Sequence, residues 1–383
     1  MTIRAQVESQ LESYLADLQS LVAIDSDTYD RDGGNLVNDW LEERLTRVGF
    51  KVRRFPQEDT ADHLLAQLRG QGRAKILLLG HSDTVYPRGT AAQRPLQLRG
   101  DRLMGPGACD MKAGLLGGIY AVEALQSRGF NEFDTLELLC VADEEVDERN
   151  SIPLILESIR GCDAVLTLEA ARENGDIVTA RKGNAVIRVA ARGRSAHAGV
   201  EPEKGRNAIS GLMRRLLQVE ALARPAAGVT INIGTISGGA MPNVVPAQAE
   251  ASIDIRAFEQ DELDDVVAQI QKIFSPRRDD GVTFTLHQRL ASPPMPRTAD
   301  VARLERLAIQ AARRLGFDLR GVSTGGAADS AFAVQAGVPV LDGLGPIGGL
   351  DHGPDEYILK SSIVPRTALL AELIRLICGV QNG

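Results

Sequence analysis

Apolar residues recur at Val7, Leu11, Leu15, Leu18 and Val22, a spacing of three and four that predicts a helix over 4–24. Leu36 to Val48 repeats that period and stops at Gly49, a helix terminator. Short strands are expected at Lys51–Phe55 and Leu64–Leu68. The period then vanishes. Lys75–Gly80 is an apolar run without alternation, the pattern of a strand covered on both faces. Met111–Arg128 reads as a helix rich in small residues and closed by Gly129. Thr135–Ala142 and Ala164–Leu168 are further buried strands.

From Asn184 the pattern changes. A strand near 185–190 is followed by an amphipathic helix at Gly205–Ala223, strands at Val229–Ile236 and Ala249–Ile255, a helix at Asp261–Phe274 and a strand at Val282–Leu286. The order β-α-β-β-α-β is the ferredoxin-like unit. It interrupts a fold that resumes after the proline-rich Ser292–Pro296, with a helix at Val301–Leu315, a buried strand at Gly337–Leu341 and a last helix at Ser362–Ile377. Strands alternating with helices on both sides of the insert predict an α/β fold with a mixed, largely parallel sheet. The expected boundaries are 1–183, 184–289 and 290–383.

Composition narrows the function. The net charge is −8, which argues against nucleic acid as a partner because phosphate binding needs a basic surface. No apolar run is long enough to span a bilayer, so no membrane partner is expected. The N-terminal stretch lacks the apolar core of a signal peptide, and the expected location is the cytoplasm. The four cysteines are scattered without a CxxC pair, which excludes a zinc-finger framework.

Candidate chemistry lies where the buried strands end. His81 and Asp83 follow Ile76–Leu79, Glu144 and Glu145 follow Leu136–Ala142, and Glu169 follows Val165–Leu168. His352 lies beyond Val338–Leu341, and Asp110 opens a helical pattern in a glycine-rich loop. Singly, each is weak: a histidine after a strand is more often a loop or core residue, and a Glu-Glu pair is usually solvated. Together they are not, because ligands of α/β sheets bind at the carboxyl ends of strands. Two histidines with three carboxylates suit two zinc ions sharing one bridging carboxylate. An extra carboxylate beside a ligand suits a general base.

HSDTV at 81–85, GPGACDMKAG at 105–114, DEE at 143–145 and DHGPDEY at 351–357 resemble the dinuclear zinc family of glutamate carboxypeptidase, acetylornithine deacetylase and succinyl-diaminopimelate desuccinylase. The resemblance spans nearly the whole chain and is strongest to bacterial glutamate carboxypeptidases. It implies a catalytic domain with an inserted lid and dimerisation domain, and a homodimer through 184–289. It implies that His81 and Glu169 hold one ion, Glu145 and His352 the other, and that Asp110 bridges them. It further implies Asp83 as the carboxylate that orients His81, Glu144 as general base, and a cis bond between Asp110 and Met111. In the insert, His197 of GRSAHAG corresponds to a histidine that reaches the partner's active site and stabilises the oxyanion. Asn243 and Arg256 correspond to residues that bind the substrate carboxylate, and Gly326 belongs to a glycine-rich substrate loop. Ala328 departs from the Thr or Ser usual before Asp329. Ser323 stands where the glutamate-specific enzymes have arginine.

The implied function is a hydrolase of the metallopeptidase and amidohydrolase kind. It cleaves an amide next to a free carboxylate in a peptide or small molecule, as a carboxypeptidase not strictly specific for glutamate. Two Zn²⁺ per chain are implied, with Mn²⁺ or Co²⁺ as substitutes. An N-acyl-amino-acid deacylase or a dipeptidase is the alternative enzyme. A metal-free binding protein of the same fold is disfavoured, because such a protein has no reason to keep Glu144 with all five ligands.

Overall fold

The computed structural model describes residues 2–146, 149–275 and 281–382. The chain forms two compact units. The first comprises Met1–Thr179, Arg297–Ser323 and Ala328–Gly383; the second comprises Ala180–Pro296 and Thr324–Ala327.

The first unit is built on a six-stranded sheet in the order Lys51–Phe55, His63–Arg69, Phe133–Val141, Ala74–His81, Ala164–Thr167, Val340–Leu341. The last four strands run parallel. At the other edge, His63–Arg69 pairs antiparallel with both of its neighbours. Leu77, Leu78 and Leu79 are all fully buried, as a run without alternation requires of a central strand. Helices cover the sheet. Arg31–Val48 is capped by the Asp30 carboxylate, which accepts the Gly33 amide at 3.1 Å, and ends at Gly49 with φ 99°.

Three details differ from the sequence pattern. The expected helix over 4–24 is two helices, Ile3–Ser9 and Leu11–Val22, broken at Gln10. The helix expected from Met111 starts at Ala113, because Asp110 and Met111 leave helical geometry and the bond between them is cis. The strand expected over 337–341 is only Val340–Leu341. A small sheet, in the order Gly348–Gly349, Tyr357–Leu359, Arg102–Met104, Gln97–Arg99, had no expectation at all. Strands of two and three residues carry no readable period.

The second unit is a β-α-β-β-α-β chain folded into an antiparallel sheet ordered Thr230–Gly238, Gln248–Ala257, Gly183–Arg192, Thr283–Ser292. Ala185, Ile187, Val189 and Ala191 alternate into its core. Leu212, Leu216 and Val219 of helix Ala208–Glu220, with Leu263, Val266 and Ile270 of helix Gln260–Ile273, close that core from one side.

The helix Ala113–Gln126 approaches the sheet unusually closely. A Cβ on Gly114 would lie 1.9 Å from the Leu168 carbonyl oxygen, so only glycine admits the contact. Gly114→Ala is expected to lower unfolding stability by about 1–3 kcal/mol, the cost of forcing an extra methyl into a packed interior. Urea unfolding measures this, and an unchanged midpoint would show that the helix shifts freely.

A candidate metal centre at the strand ends

Three adjacent parallel strands, Phe133–Val141, Ala74–His81 and Ala164–Thr167, place their carboxyl ends side by side. His81 is the last residue of the middle strand; Glu144 and Glu145 follow one neighbour, and Glu169 follows the other. Strand order therefore converts a sequence spread of 88 residues, from 81 to 169, into one cluster. Asp110 comes from the loop ahead of Ala113–Gln126. His352 comes from the loop between Gly348–Gly349 and Tyr357–Leu359. The small sheet pairs Tyr357 with Met104 and Leu359 with Arg102, and so brings these two loops together.

Asp110 sits between the histidines. Its Oδ1 lies 3.0 Å from His81 Nε2, and its Oδ2 lies 3.2 Å from His352 Nε2. Glu169 Oε1 is 3.7 Å from His81 Nε2, and Glu145 Oε2 is 3.1 Å from His352 Nε2. The cluster thus has two lobes, His81–Asp110–Glu169 and Glu145–Asp110–His352, each with one histidine and two carboxylates. His81 is buried, whereas His352 is half-exposed with φ 61°. That left-handed conformation is rare outside glycine and gathers at functional sites.

Asp83 does more than orient His81. Its Oδ1 is 3.3 Å from His81 Nδ1, and its main-chain carbonyl is 3.0 Å from the same nitrogen. It also accepts the Thr28 hydroxyl at 2.7 Å and the backbone amides of Glu144 and Glu145 at 3.2 and 3.1 Å. One buried carboxylate therefore anchors a histidine and the segment carrying both glutamates.

The electrostatics are those of a crowded site. Burial, followed by repulsion from Asp329, pushes Glu144 up to about 8, while His81 and Arg149 oppose the shift. Burial and Asp110 raise Glu169 well above the ordinary range, and burial raises Glu145 too. His352 is pushed up to about 11 by its hydrogen bonds to Asp110 and Glu145. Burial opposes a charged His81, yet Asp110 and Asp83 carry it well above its usual value. Protonated histidines thus balance clustered carboxylates. Metal binding releases protons from its ligands, so a divalent cation held by these residues would take the place of that positive charge. The residues fit a metal: the donors are all nitrogen and oxygen, and Glu145 Oε1 is buried with no hydrogen-bond partner.

Two acids were missed by sequence reasoning. Asp351 brings an oxygen within 4.8 Å of ligand atoms on Asp110 and His352. Glu356 is fully buried and accepts three backbone amides of the Asp110 loop. Both lie inside DHGPDEY, and their acidity at positions flanking a buried strand was the available signal.

The remaining expected residues lie in the second unit. His197 is exposed; its Nδ1 accepts the amides of Gly199 and Val200, both at 3.1 Å, which leaves the proton on Nε2. Asn243 is exposed, and its carbonyl accepts the Ala198 amide. Arg256 donates from Nε to Asp254 at 2.8 Å and from Nη1 to the Gly325 carbonyl at 2.9 Å. Gly326 is exposed and its carbonyl accepts from Arg181.

The pattern of Peptidase family M20/M25/M40 matches residues 77–376. Carboxypeptidase G2 of Pseudomonas sp. (strain RS-16) is 28% identical over 368 residues, which cover 93% of this chain and 87% of that protein. A succinyl-diaminopimelate desuccinylase of Methylorubrum extorquens is 28% identical over 386 residues, covering 94% of this chain and 98% of that protein. The crystal structure of aminopeptidase PepT from Bacillus cereus superposes with a TM-score of 0.81 at 22% identity, covering 96% of this chain and 98% of that one; this likeness shows the fold.

Divalent metal is expected to raise the melting temperature. A ligand at 100 times its Kd adds about 2.7 kcal/mol to the folded state. Asp110→Asn weakens both lobes and should remove most of that shift. Thermal scans with and without Zn²⁺ or Mn²⁺ test it, and an undiminished shift in Asp110→Asn would exclude Asp110 as a ligand.

Proposed function

The chain belongs to peptidase family M20/M25/M40 and is a metal-dependent amide hydrolase; on that premise we propose that it cleaves amides next to a free carboxylate, as a carboxypeptidase of broad side-chain preference. The observation that carries this reading is Asp110, with one oxygen toward each of two histidines. We assign two ions per chain, zinc in the first instance. His81, Asp110 and Glu169 hold one; Glu145, Asp110 and His352 hold the other. When bound, they polarise the scissile carbonyl and acidify water.

The protein's own groups do the rest. Glu144 accepts a proton from the attacking water and returns it to the leaving nitrogen. Its raised proton affinity suits both transfers. Asp83 holds the Glu144 amide and so keeps the carboxylate in place. His197 donates its Nε2–H to the developing oxyanion, a role that suits a neutral ring whose other nitrogen is already engaged. Arg256, held by Asp254 and Gly325, grips the substrate carboxylate, and Asn243 and Gly326 contribute to binding the substrate.

The catalytic domain in this reading is 1–183 with 290–383, and 184–289 is the lid and dimerisation domain. We propose a cytoplasmic homodimer paired through that domain. Its edge strand Thr230–Gly238 is open, and Ile236, Met241 and Val244 are 55%, 61% and 41% exposed. His197 then serves the partner's site. The deacylase and dipeptidase readings use the same groups and differ only in the substrate; the desuccinylase relative favours keeping the first.

Glu144→Gln should lose roughly 10²–10⁴-fold in kcat while keeping its metal, the usual worth of a general base. Mixing it with His197→Ala subunits should restore part of the activity if His197 acts across a dimer. Near-wild-type Glu144→Gln turnover would remove the base, and proven subunit exchange without recovery would remove action in trans.

Substrate preference provides the second test, using kcat/KM for one acyl group joined to glutamate, alanine, leucine, phenylalanine and leucine amide. The amide should be the poorest substrate, since it offers Arg256 no carboxylate. Ser323 supplies no charge, so the advantage of glutamate should stay under ~100-fold, about what a charge-assisted pair of 1.5–3 kcal/mol provides. Cleavage of the amide as fast as the acids would end the carboxylate requirement. A larger glutamate preference would point instead to Arg181 or Lys182.

A further inference from the structure

Glu356 is among the buried acids that the chemistry above leaves without a task. Glu356 has no solvent exposure, and its carboxylate is held chiefly by backbone amides. Oε2 accepts the Gly107 amide at 2.9 Å. Oε1 accepts the amides of Cys109 at 2.7 Å and Asp110 at 3.0 Å. Its own carbonyl accepts the Gly105 amide at 3.3 Å. Successive amides curling around one anion form a nest, here closed by a side chain of the same protein. Gly107 makes the curl possible at φ 70°, and a Cβ there would meet Thr84 at 2.7 Å.

The place of this carboxylate gives it meaning. It lies four residues beyond His352, at the start of the strand Tyr357–Leu359, which pairs with Arg102–Met104 just ahead of the Asp110 loop. Tyr86 and Arg94 hold the intervening turn through the Gly353 carbonyl, at 2.8 and 3.1 Å. The carboxylate therefore joins the segment that carries His352 to the amide of Asp110 itself. His81 and Glu169 lie at strand ends of the six-stranded sheet; His352 and Asp110 lie on loops joined by the small sheet.

We propose that Glu356 is a positioning residue for the metal centre: by holding three amides of the Asp110 loop against the His352 loop, it fixes where the two oxygens of Asp110 point. The proposal rests on reading Asp110 as a ligand shared by both lobes. Residues that orient metal ligands from outside change metal affinity or activity by about 10–100-fold when replaced.

The test is a Mn²⁺ and Zn²⁺ titration against a chromophoric chelator, with thermal stability measured on the same samples. Glu356→Gln keeps the size of the side chain but sets an NH₂ group against a backbone N–H. It should weaken metal binding about 10–100-fold, most for the ion bound by His352, and lose kcat at limiting metal with little change in KM. Glu372→Gln is the control. That acid, in the last helix, pairs with Arg375 of the same helix and with Arg314 of the helix Ala299–Leu315, so its loss should lower stability and leave metal affinity unchanged. Metal affinity within threefold of wild type in Glu356→Gln overturns the proposal, whatever the melting temperature. If Glu356→Gln does not fold, Glu356→Asp keeps the charge on a shorter arm and must weaken binding in the same direction. Asp110→Asn separates the two ideas. Weakening by Asp110→Asn alone overturns the positioning role, whereas no weakening by Asp110→Asn removes the shared-ligand reading beneath it.

Discussion

The structure of the first unit depends on a charge problem. Asp110, Glu144, Glu145 and Glu169 converge where three strands end, and two histidines lie among them as positive partners. Carboxylates cannot be packed away from water without a counter-charge. The protein accepts this cost at one place and arranges its backbone to hold it. The upward shifts of Glu144, Glu145 and Glu169 and of both histidines express the same imbalance from opposite sides. Bound divalent metal would relieve it, which is why a set of this composition makes sense in a metal-dependent hydrolase.

The supporting framework follows from that need. Asp83 and Glu356 are both buried acids that spend their oxygens largely on backbone amides. One organises the segment bearing Glu144 and Glu145, and the other the loop bearing Asp110. The parallel sheet needs no such help, because its hydrogen-bonded register already fixes His81 against Val141 and Leu79 against Thr167. Close packing at Gly114 sets the Asp110 loop at the right height above Leu168 and Glu169.

The second unit solves a different problem. Its inner face is an ordinary alternating core, and the residues singled out from its sequence lie outside that core. His197 and Arg256 are both shaped by local partners, two amides in one case and Asp254 with Gly325 in the other. These contacts set the tautomer of His197 and the orientation of the Arg256 guanidinium.

Sequence alone determined the architecture where residues repeat with a period. The unbroken run at 75–80 announced a central strand, the alternation from 185 an antiparallel sheet, and the order of elements the βαββαβ insert. His81, Asp110, Glu144, Glu145, Glu169 and His352 were legible because they lie near the ends of such strands and match a family pattern. Other features had no such signal. Gln10 breaks a helix within an intact apolar period. Asp254 beside Arg256 reads as an exposed strand acid until the fork between them is seen. Glu356 reads as one more charge in an acidic loop. Its role depends on amides 246 to 249 residues away, and backbone N–H groups are the same at every position. Side-chain pattern records which faces are buried; only the tertiary fold decides which amides an acid will meet.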